Sequence, residues 1–112
     1  MLPAALRLGK SPKITATLKY GRRIASQNFV LHVVSTSASE SKFAFAVSKK
    51  VGNSVVRHKI TRQLREIVTK NLNQVPQGSE VVVRALPSIT KVDFAQLNDE
   101  FVASIKKMGG DR

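Results

Sequence analysis

The amino-acid sequence predicts an α+β fold, in which helices pack against one sheet as a two-layer sandwich. Some segments place apolar residues with the period of a helix, and others alternate them as strands do. These segments follow the order α-β-β(-β)-α-β-α, where the bracketed strand is a short one expected around Ile24. Such an order is typical of helices packed on a sheet that has both antiparallel and parallel strand pairs.

Length and composition indicate a single domain inside the cell. The chain has 112 residues, enough for one core, and we expect one domain over residues 1–112 that starts with a poorly ordered basic segment at residues 1–10. It has no Cys, which excludes disulfide bonds and thiolate metal sites. No apolar run is long enough for a membrane span or a secretory signal, so we expect a cytoplasmic protein that is not membrane-bound.

The charge of the chain indicates a polyanionic partner. Nineteen Lys and Arg residues stand against seven Asp and Glu residues, which gives a net charge of +12. A small domain with this charge repels itself unless a polyanion is close. Nucleic acid is therefore the expected partner, and an anionic membrane surface is the weaker alternative.

The first helix is predicted over about Pro12 to Tyr20. Ser11 followed by proline is typical of an N-cap and first helical position, and Gly21 is expected to end the helix. Ile14 and Leu18 are four residues apart and share a face. They either belong to the core or line a cleft.

Two strands are predicted next, over Asn28–Ser35 and Lys42–Val47, joined by a polar hairpin loop. Alternation gives these strands one bulky face of Phe, Leu and Val side chains, which can pack against helices. Their other face is shallow and could admit another body close to the backbone; its members are Val30, His32, Val34, Ala44 and Ala46.

The segment Ser48–Glu66 concentrates cations at the start of a helix. Gly52 and Asn53 are turn formers that tolerate positive φ, so regular structure should stop here, and Asn53 or Ser54 then caps the helix. One stripe of this helix is apolar and faces the core: Val56, Ile60, Leu64, Ile67 and Val68. The other side and the flanks are basic, with Arg57, His58, Lys59, Arg62 and Arg65. A solvated basic face is the ordinary interpretation, but the preceding Lys49–Lys50 loop adds charge near the helix N-terminus, where anions bind favourably.

The last two elements are a buried strand and a helix. Glu80–Leu86 is a nearly continuous apolar run, which favours burial on both faces. The final helix is predicted over about Lys91–Lys107. Thr90 and Asp93 are expected to form a capping box at its start.

The sequence lacks the residue patterns of a catalytic site. His32 and His58 are the only histidines and fall in different elements, and the acidic residues are scattered. No phosphate-binding loop and no nucleophile motif is present. We therefore expect neither a catalytic residue nor a metal site in the protein itself.

The basic segment resembles the signature of a known family. It reads SKKVGNSVVRHKITRQLRE from Ser48 to Glu66 and is similar, without a gap, to the S-K-K-x-G-N-A-V-x-R-N-R-x-K-R-x-x-R-E pattern of the protein component of bacterial ribonuclease P. The KYGRR segment before the FVLH strand and the VDFAQLNDEF segment of the last helix are also similar to that family. The resemblance covers nearly the whole chain.

The resemblance implies the RNA-binding subunit of an endoribonuclease, a hydrolase that removes the 5′ leader of precursor tRNA. It implies that catalysis resides in the RNA subunit and its Mg²⁺ ions, so that the protein alone binds no cofactor. The expected partners are ribonuclease P RNA and precursor tRNA, with no protein partner. The family also implies a left-handed crossover between the strands that end at Val47 and begin at Glu80, whereas the general rule would give a right-handed one.

The same resemblance assigns two RNA contacts. The basic helix and its loop would bind the catalytic RNA through Lys49, Lys50, Asn53, Arg57, His58, Lys59, Arg62 and Arg65. A cleft between the first helix and the sheet would bind the single-stranded leader through Ile14, Leu18, Val30, His32, Ala44, Ala46 and Ser48.

Several positions depart from the family pattern. His58 stands where the family has Asn, Lys59 where it has Arg, and Thr61 where it has a basic residue. Cleft positions often filled by aromatic residues are Ile, Leu and His here, so leader binding should depend on charge and shape more than on base stacking. The alternative function is that of another small basic RNA- or DNA-binding protein, such as a ribosomal protein, which would share the charge but not the complete spacing.

Overall fold

The chain forms a four-stranded mixed sheet. In the sequence, the last strand stands between the two long helices. The structure, a computed structural model, describes residues 11–37 and 39–110, so the segment expected at residues 1–10 lies outside the described residues. The elements are α1 (Ser11–Tyr20), β1 (Arg22–Ala25), β2 (Phe29–Ser35), β3 (Lys42–Ala46), α2 (Ser54–Lys70), β4 (Ser79–Ala85) and α3 (Phe94–Gly110), with 3₁₀ turns at Leu72–Gln74 and Pro87–Lys91.

The strands lie in the order β1-β2-β4-β3. β1 pairs with β2 and β2 with β4 in antiparallel fashion, while β3 pairs with β4 in parallel. The α+β class and the short strand around Ile24 are thus confirmed. The hand of the connection from β3 through α2 to β4 stays a prediction.

The predicted hairpin between β2 and β3 is wrong, because β4 lies between these strands. Val81, Val82 and Val83 of β4 are each at most 1% exposed, so this apolar run takes the central position where both its faces and both its edges are covered. The segment after β2 instead contacts the segment before β4. Thr36 donates from its backbone N and from Oγ1 to the Gly78 carbonyl, at 2.6 and 2.9 Å.

The main core lies between one face of the sheet and the helix pair α2 and α3. The bulky face predicted for β2 and β3 does pack here, with Phe29, Leu31, Val33 and Phe43. From the helices come Ile60, Leu64, Ile67, Val68, Leu97, Phe101, Ile105 and Met108. The predicted apolar stripe of α2 is therefore confirmed as its core-facing side.

The opposite face of the sheet carries α1. Ile14 and Leu18, together with Ala46, pack against the buried pair Ala44 and Val82. The shallow face predicted from the alternation is therefore real, and α1 itself is the body that approaches it. The small side chains of this sheet face let α1 lie close to the strands.

Gly21 ends α1 as predicted, yet its role is close approach and not a positive φ, which among the described glycines only Gly78 adopts. A Cβ at Gly21 would lie 2.5 Å from the carbonyl oxygen of Thr17 and 3.0 Å from the backbone nitrogen of Val33. The Gly21 N–H donates to that same carbonyl at 2.9 Å. The absence of a side chain at Gly21 thus lets the backbone after α1 lie directly against β2. Gly52 and Asn53, which tolerate a positive φ, do not adopt one.

The caps of the long helices agree with the sequence in one case only. Asn53 caps α2, since its Oδ1 accepts from the Val56 N–H at 3.0 Å. The capping box predicted for α3 is wrong: Asp93 is itself the cap and accepts from the Gln96 N–H at 2.9 Å. Thr90 donates to the Pro87 carbonyl in the preceding 3₁₀ turn, so this turn delays the start of the helix.

Candidate nucleic-acid interface

The loop before α2 presents two lysines on a short turn. The Val51 N–H donates to the Ser48 carbonyl at 3.0 Å and closes the turn, and the Val51 side chain is buried in the core. Lys49 and Lys50, between them, are exposed. The buried valine therefore fixes the turn from below and directs both ammonium groups to solvent at the start of α2.

Helix α2 separates its two faces as the periodicity predicted. Its apolar stripe is buried, while His58, Lys59 and Arg62 are exposed and Arg57 and Arg65 are half-buried. The arginine stems thus lie along the protein surface and carry their charge outward. Because the core anchors the other side of the helix, the charged groups are held at fixed spacing along one direction.

The predicted RNA-binding residues of α2 line two neighbouring grooves. A groove of about 610 Å³ is lined by His58, Arg62, Arg65 and Glu66. A second, of about 350 Å³, lies between α2 and β3 and is lined by Phe45, Val47, Ser54, Arg57, His58, Thr61 and Arg65. The structure thus brings together four of the predicted RNA-binding residues, Arg57, His58, Arg62 and Arg65, while Lys59 is absent from the lining of both grooves.

Two features of these grooves escaped the sequence reasoning. Glu66 places a carboxylate among the cations, and Phe45 and Val47 add apolar surface beside them. The spacing of four residues between Arg62 and Glu66 could have revealed the first feature, because such residues are neighbours on a helix. Among the described residues, the buried Nε of Arg57 has no hydrogen-bond partner.

The residues predicted for a leader cleft fall into two groups. Val30, His32 and Ala44 are 5%, 3% and 8% exposed. Helix α1 lies against β2 and β4, and its Ile14 and Leu18 pack against Ala44. Ala46 is half-buried and Ser48 is exposed. The structure therefore brings all seven residues to one side of the sheet, but only its β3 end is accessible in this conformation.

The accessible part is a groove of about 500 Å³ at the carboxyl ends of the parallel strands β3 and β4. It is lined by Ala46, Val47, Ser48, Lys50, Arg84, Ala85, Leu86 and Pro87. Its floor is mainly apolar and two cations, Lys50 and Arg84, stand at its sides. Arg84 was missed because the strand was interpreted as a buried run. The signal was present, since alternation puts residue 84 on the same face as residue 82 and therefore on the α1 side.

His32 is a buried neutral base beneath α1. Its Nε2 accepts a hydrogen bond from Arg84 Nε at 3.1 Å, and the Leu18 backbone lies within hydrogen-bonding reach of the ring. Burial lowers the pKa of His32 below the ordinary value of 6.5, and the charges of Arg84 and Arg23 lower it further, against a weaker opposing effect of the Leu18 backbone. The neutral ring is the form that can accept from Arg84.

The site has the chemistry of anion binding. Within residues 11–37 and 39–110, no three His, Cys, Asp or Glu side chains come together in a way that could hold a metal ion. In the same part of the chain, no helix is both long and apolar enough to span a bilayer. The accessible chemistry is that of guanidinium and ammonium groups beside apolar surface, which suits the phosphates and bases of RNA.

Comparison with known sequences gives one consistent family. The family model described as Ribonuclease P matches residues 2–109. The ribonuclease P protein component of Corynebacterium diphtheriae is 35% identical over 119 residues, which cover 100% of both chains. That of Acidothermus cellulolyticus is 40% identical over 104 residues, which cover 90% of this chain and 86% of the relative.

Solved structures share the fold at lower identity. The RNase P protein from Thermotoga maritima has a TM-score of 0.83 and 24% identity, with 90% of this chain and 96% of that chain covered. The Staphylococcus aureus RNase P protein has a TM-score of 0.80 and 23% identity, with 93% and 94% covered. These two similarities concern the fold alone.

Proposed function

Because this chain belongs to the ribonuclease P protein family, we propose that it binds the RNA subunit of ribonuclease P through α2 and the Lys49–Lys50 turn, and the 5′ leader of precursor tRNA through the groove at the ends of β3 and β4. The family membership makes it the protein subunit of an endoribonuclease that acts in tRNA processing and associates with ribonuclease P RNA. The two contact surfaces and the leader as ligand are the proposed part.

The distribution of charge on α2 is the observation that supports the first contact. His58, Arg62 and Arg65 line one groove, and the lysine turn adds charge at the N-terminal end of the same helix. Phosphates of a folded RNA that lie along this helix would release counterions from several cations at once. The apolar stripe on the other side of the helix fixes it on the core and so keeps these cations in register.

The groove beside β3 and β4 supports the second contact. Bases can pack against its apolar floor, and Lys50 and Arg84 can bind phosphates. Ser48 and Lys50 of the turn before α2 line this groove. The surface proposed for the catalytic RNA and the groove proposed for the leader are therefore adjacent on the protein. The covered residues Val30, His32 and Ala44 would then support the groove from below.

Catalysis is proposed to belong to the RNA subunit. The described residues offer anion-binding groups, and the Mg²⁺ ions would be held by RNA and substrate phosphates. Neutralisation of RNA phosphates by the protein would let the particle fold and bind substrate at lower Mg²⁺ concentration. A cytoplasmic location, where precursor tRNA is processed, is part of the same proposal.

Reconstitution with a bacterial ribonuclease P RNA tests the function. We expect the protein to lower the Mg²⁺ concentration needed for cleavage of precursor tRNA and to cleave nothing without the RNA. Arg62→Glu combined with Arg65→Glu should remove the effect. The matched control is Lys106→Glu with Lys107→Glu, which makes the same change of charge at exposed positions near the end of α3.

Two outcomes would contradict the proposal. If both double variants weakened the effect equally, total charge and not the α2 surface would be responsible. Metal-dependent cleavage by RNA-free protein would show that the active site lies in the protein.

A further inference from the structure

The hydrogen bond between Arg84 and His32 joins the accessible groove to the buried residues under α1. Arg84 lies opposite Val30 in the pairing of β2 with β4, so His32 is its diagonal neighbour on the same face of the sheet. Arg84 Nε donates to His32 Nε2 at 3.1 Å, while the arginine also lines the groove. One side chain therefore contacts both places.

This contact uses one donor of the guanidinium and leaves the others. A guanidinium carries five N–H donors in a planar fork, and the bond to His32 occupies only the Nε donor. Within the described part of the chain, that is the one hydrogen bond recorded for the Arg84 side chain. The two Nη groups remain for a ligand in the groove, in the geometry that suits a phosphate.

The surroundings of His32 keep the ring able to accept this bond. Arg84 faces it from β4, Arg23 from β1 and the Leu18 backbone from α1. Burial disfavours the protonated ring most, both arginines add to this effect, and the Leu18 backbone opposes it more weakly. The imidazole thus acts as a fixed acceptor that holds the arginine by Nε, whose direction sets the plane of the whole fork.

We propose that Arg84 binds a phosphate of the single-stranded RNA leader and that His32 is the positioning residue that orients the Arg84 fork toward it. The inference rests on the proposed leader-binding function of the groove. It adds a phosphate-binding residue that the sequence pattern did not provide, and it changes the role of His32 from a residue that touches the leader to one that supports a residue that does.

Binding of precursor tRNA and of leaderless mature tRNA to the reconstituted holoenzyme tests this inference. We expect Arg84→Gln to weaken binding of precursor tRNA about tenfold and to leave mature tRNA unchanged, as for loss of a charge-assisted hydrogen bond. The matched control is Arg23→Gln, which removes the other arginine beside His32 but lies outside the lining of the groove. It should change the affinity for precursor tRNA by less than about twofold, since an exposed charge that does not line the groove is screened by solvent and salt.

Substitutions of His32 separate orientation from packing. His32→Phe fills the same space without an acceptor and should lose part of the preference for precursor tRNA. His32→Gln can place its Oε1 near the position of Nε2 and should restore that preference. A preference in His32→Phe equal to that of the wild type would overturn the positioning role.

The outcomes also distinguish this inference from the function on which it rests. If Arg84→Gln kept the full preference for precursor tRNA while Ser48→Glu abolished it, the groove would bind leader without Arg84, and the inference alone would be wrong. If the wild-type holoenzyme bound both RNAs equally, the groove would not be a leader site, and both would be wrong. Residue 84 is half-buried, so we expect Arg84→Gln to fold. This variant therefore tests the phosphate contact even if His32→Phe does not fold.

Discussion

Glu100 of α3 and Asn28, which follows β1, are joined through both oxygens of the carboxylate. The Asn28 backbone N–H donates to Oε1 at 3.1 Å and its side-chain amide donates to Oε2 at 2.5 Å. Ser26 Oγ also donates to Oε1, at 2.6 Å. Asn28 is only 1% exposed, so this acidic side chain satisfies buried donors and ties the β1–β2 turn to the helix.

Glu100→Ala should therefore lower the free energy of unfolding by about 2 to 4 kcal/mol, because it leaves buried donors of Asn28 unpaired. Denaturant unfolding at neutral pH measures this change. Asp99→Ala removes an exposed carboxylate from the adjacent residue and should change the stability by less than about 0.5 kcal/mol. Equal effects of the two substitutions would mean that net charge, and not the anchored turn, is responsible.

Arg62→Ala and Arg65→Ala should each reduce the salt dependence of binding to the RNA subunit. Each phosphate contact adds about 0.9 to the slope of log affinity against log salt on duplex and about 0.7 on single strands. Each variant should therefore flatten this slope by roughly one contact. Filter binding at several salt concentrations gives the slopes, with Lys107→Ala on α3 as the control. Unchanged slopes in both arginine variants would identify this face of α2 as merely solvated.

His58→Asn should remove a pH-dependent part of the affinity for the RNA subunit. The imidazole is exposed beside Arg62, Arg65 and Glu66. A phosphate that lies against it in the complex would favour the protonated ring, so binding would take up a proton and strengthen as the pH falls from about 7.5 to 6. Affinities of wild type and variant across this range test the prediction. Parallel pH curves for the two proteins would place residue 58 away from phosphate.

The stability of the free protein should decrease as the pH falls below about 6.5, and His32 should cause part of this decrease. The pKa of His32 is lowered in the folded state by burial and by Arg84 and Arg23, so the unfolded chain binds the proton first. The contribution is fully present above the unfolded value near 6.5 and is lost as the pH falls toward the folded value. Denaturant unfolding at pH 7.5 and 5.5 should show a smaller difference in His32→Gln than in the wild type.

The sequence was most informative where one helix serves both core and surface. The period of Ile60, Leu64 and Ile67 determines which side of α2 is buried, and the cap at Asn53 follows from its side-chain chemistry. Local patterns of this kind need no knowledge of other elements. The predicted faces of β2 and β3 are correct for the same reason.

The failures concern relationships between distant segments. The β2–β3 hairpin was wrong because a loop of suitable length says nothing about whether a later strand will enter between its ends. Arg84 was missed because its role depends on His32, which lies 52 positions earlier in the chain. The cap of α3 was misplaced because the 3₁₀ turn at Pro87–Lys91 takes up residues that the pattern assigned to the helix.

The central position of β4 also determines the order in which this protein can fold. β4 is the last strand to be synthesised, and β3 has no other partner within the sheet. A nascent chain that has not yet released residues 79–85 therefore exposes the edges of β2 and β3, and its basic helix is not yet held on a completed core. The pairing of β4 with β2 and β3 joins segments that are far apart in the sequence, and it is therefore slow compared with the formation of a hairpin. Unpaired strand edges are prone to aggregation. We therefore expect the surface that is proposed to bind RNA to become rigid only after a late step of folding, when the final strand enters the middle of the sheet.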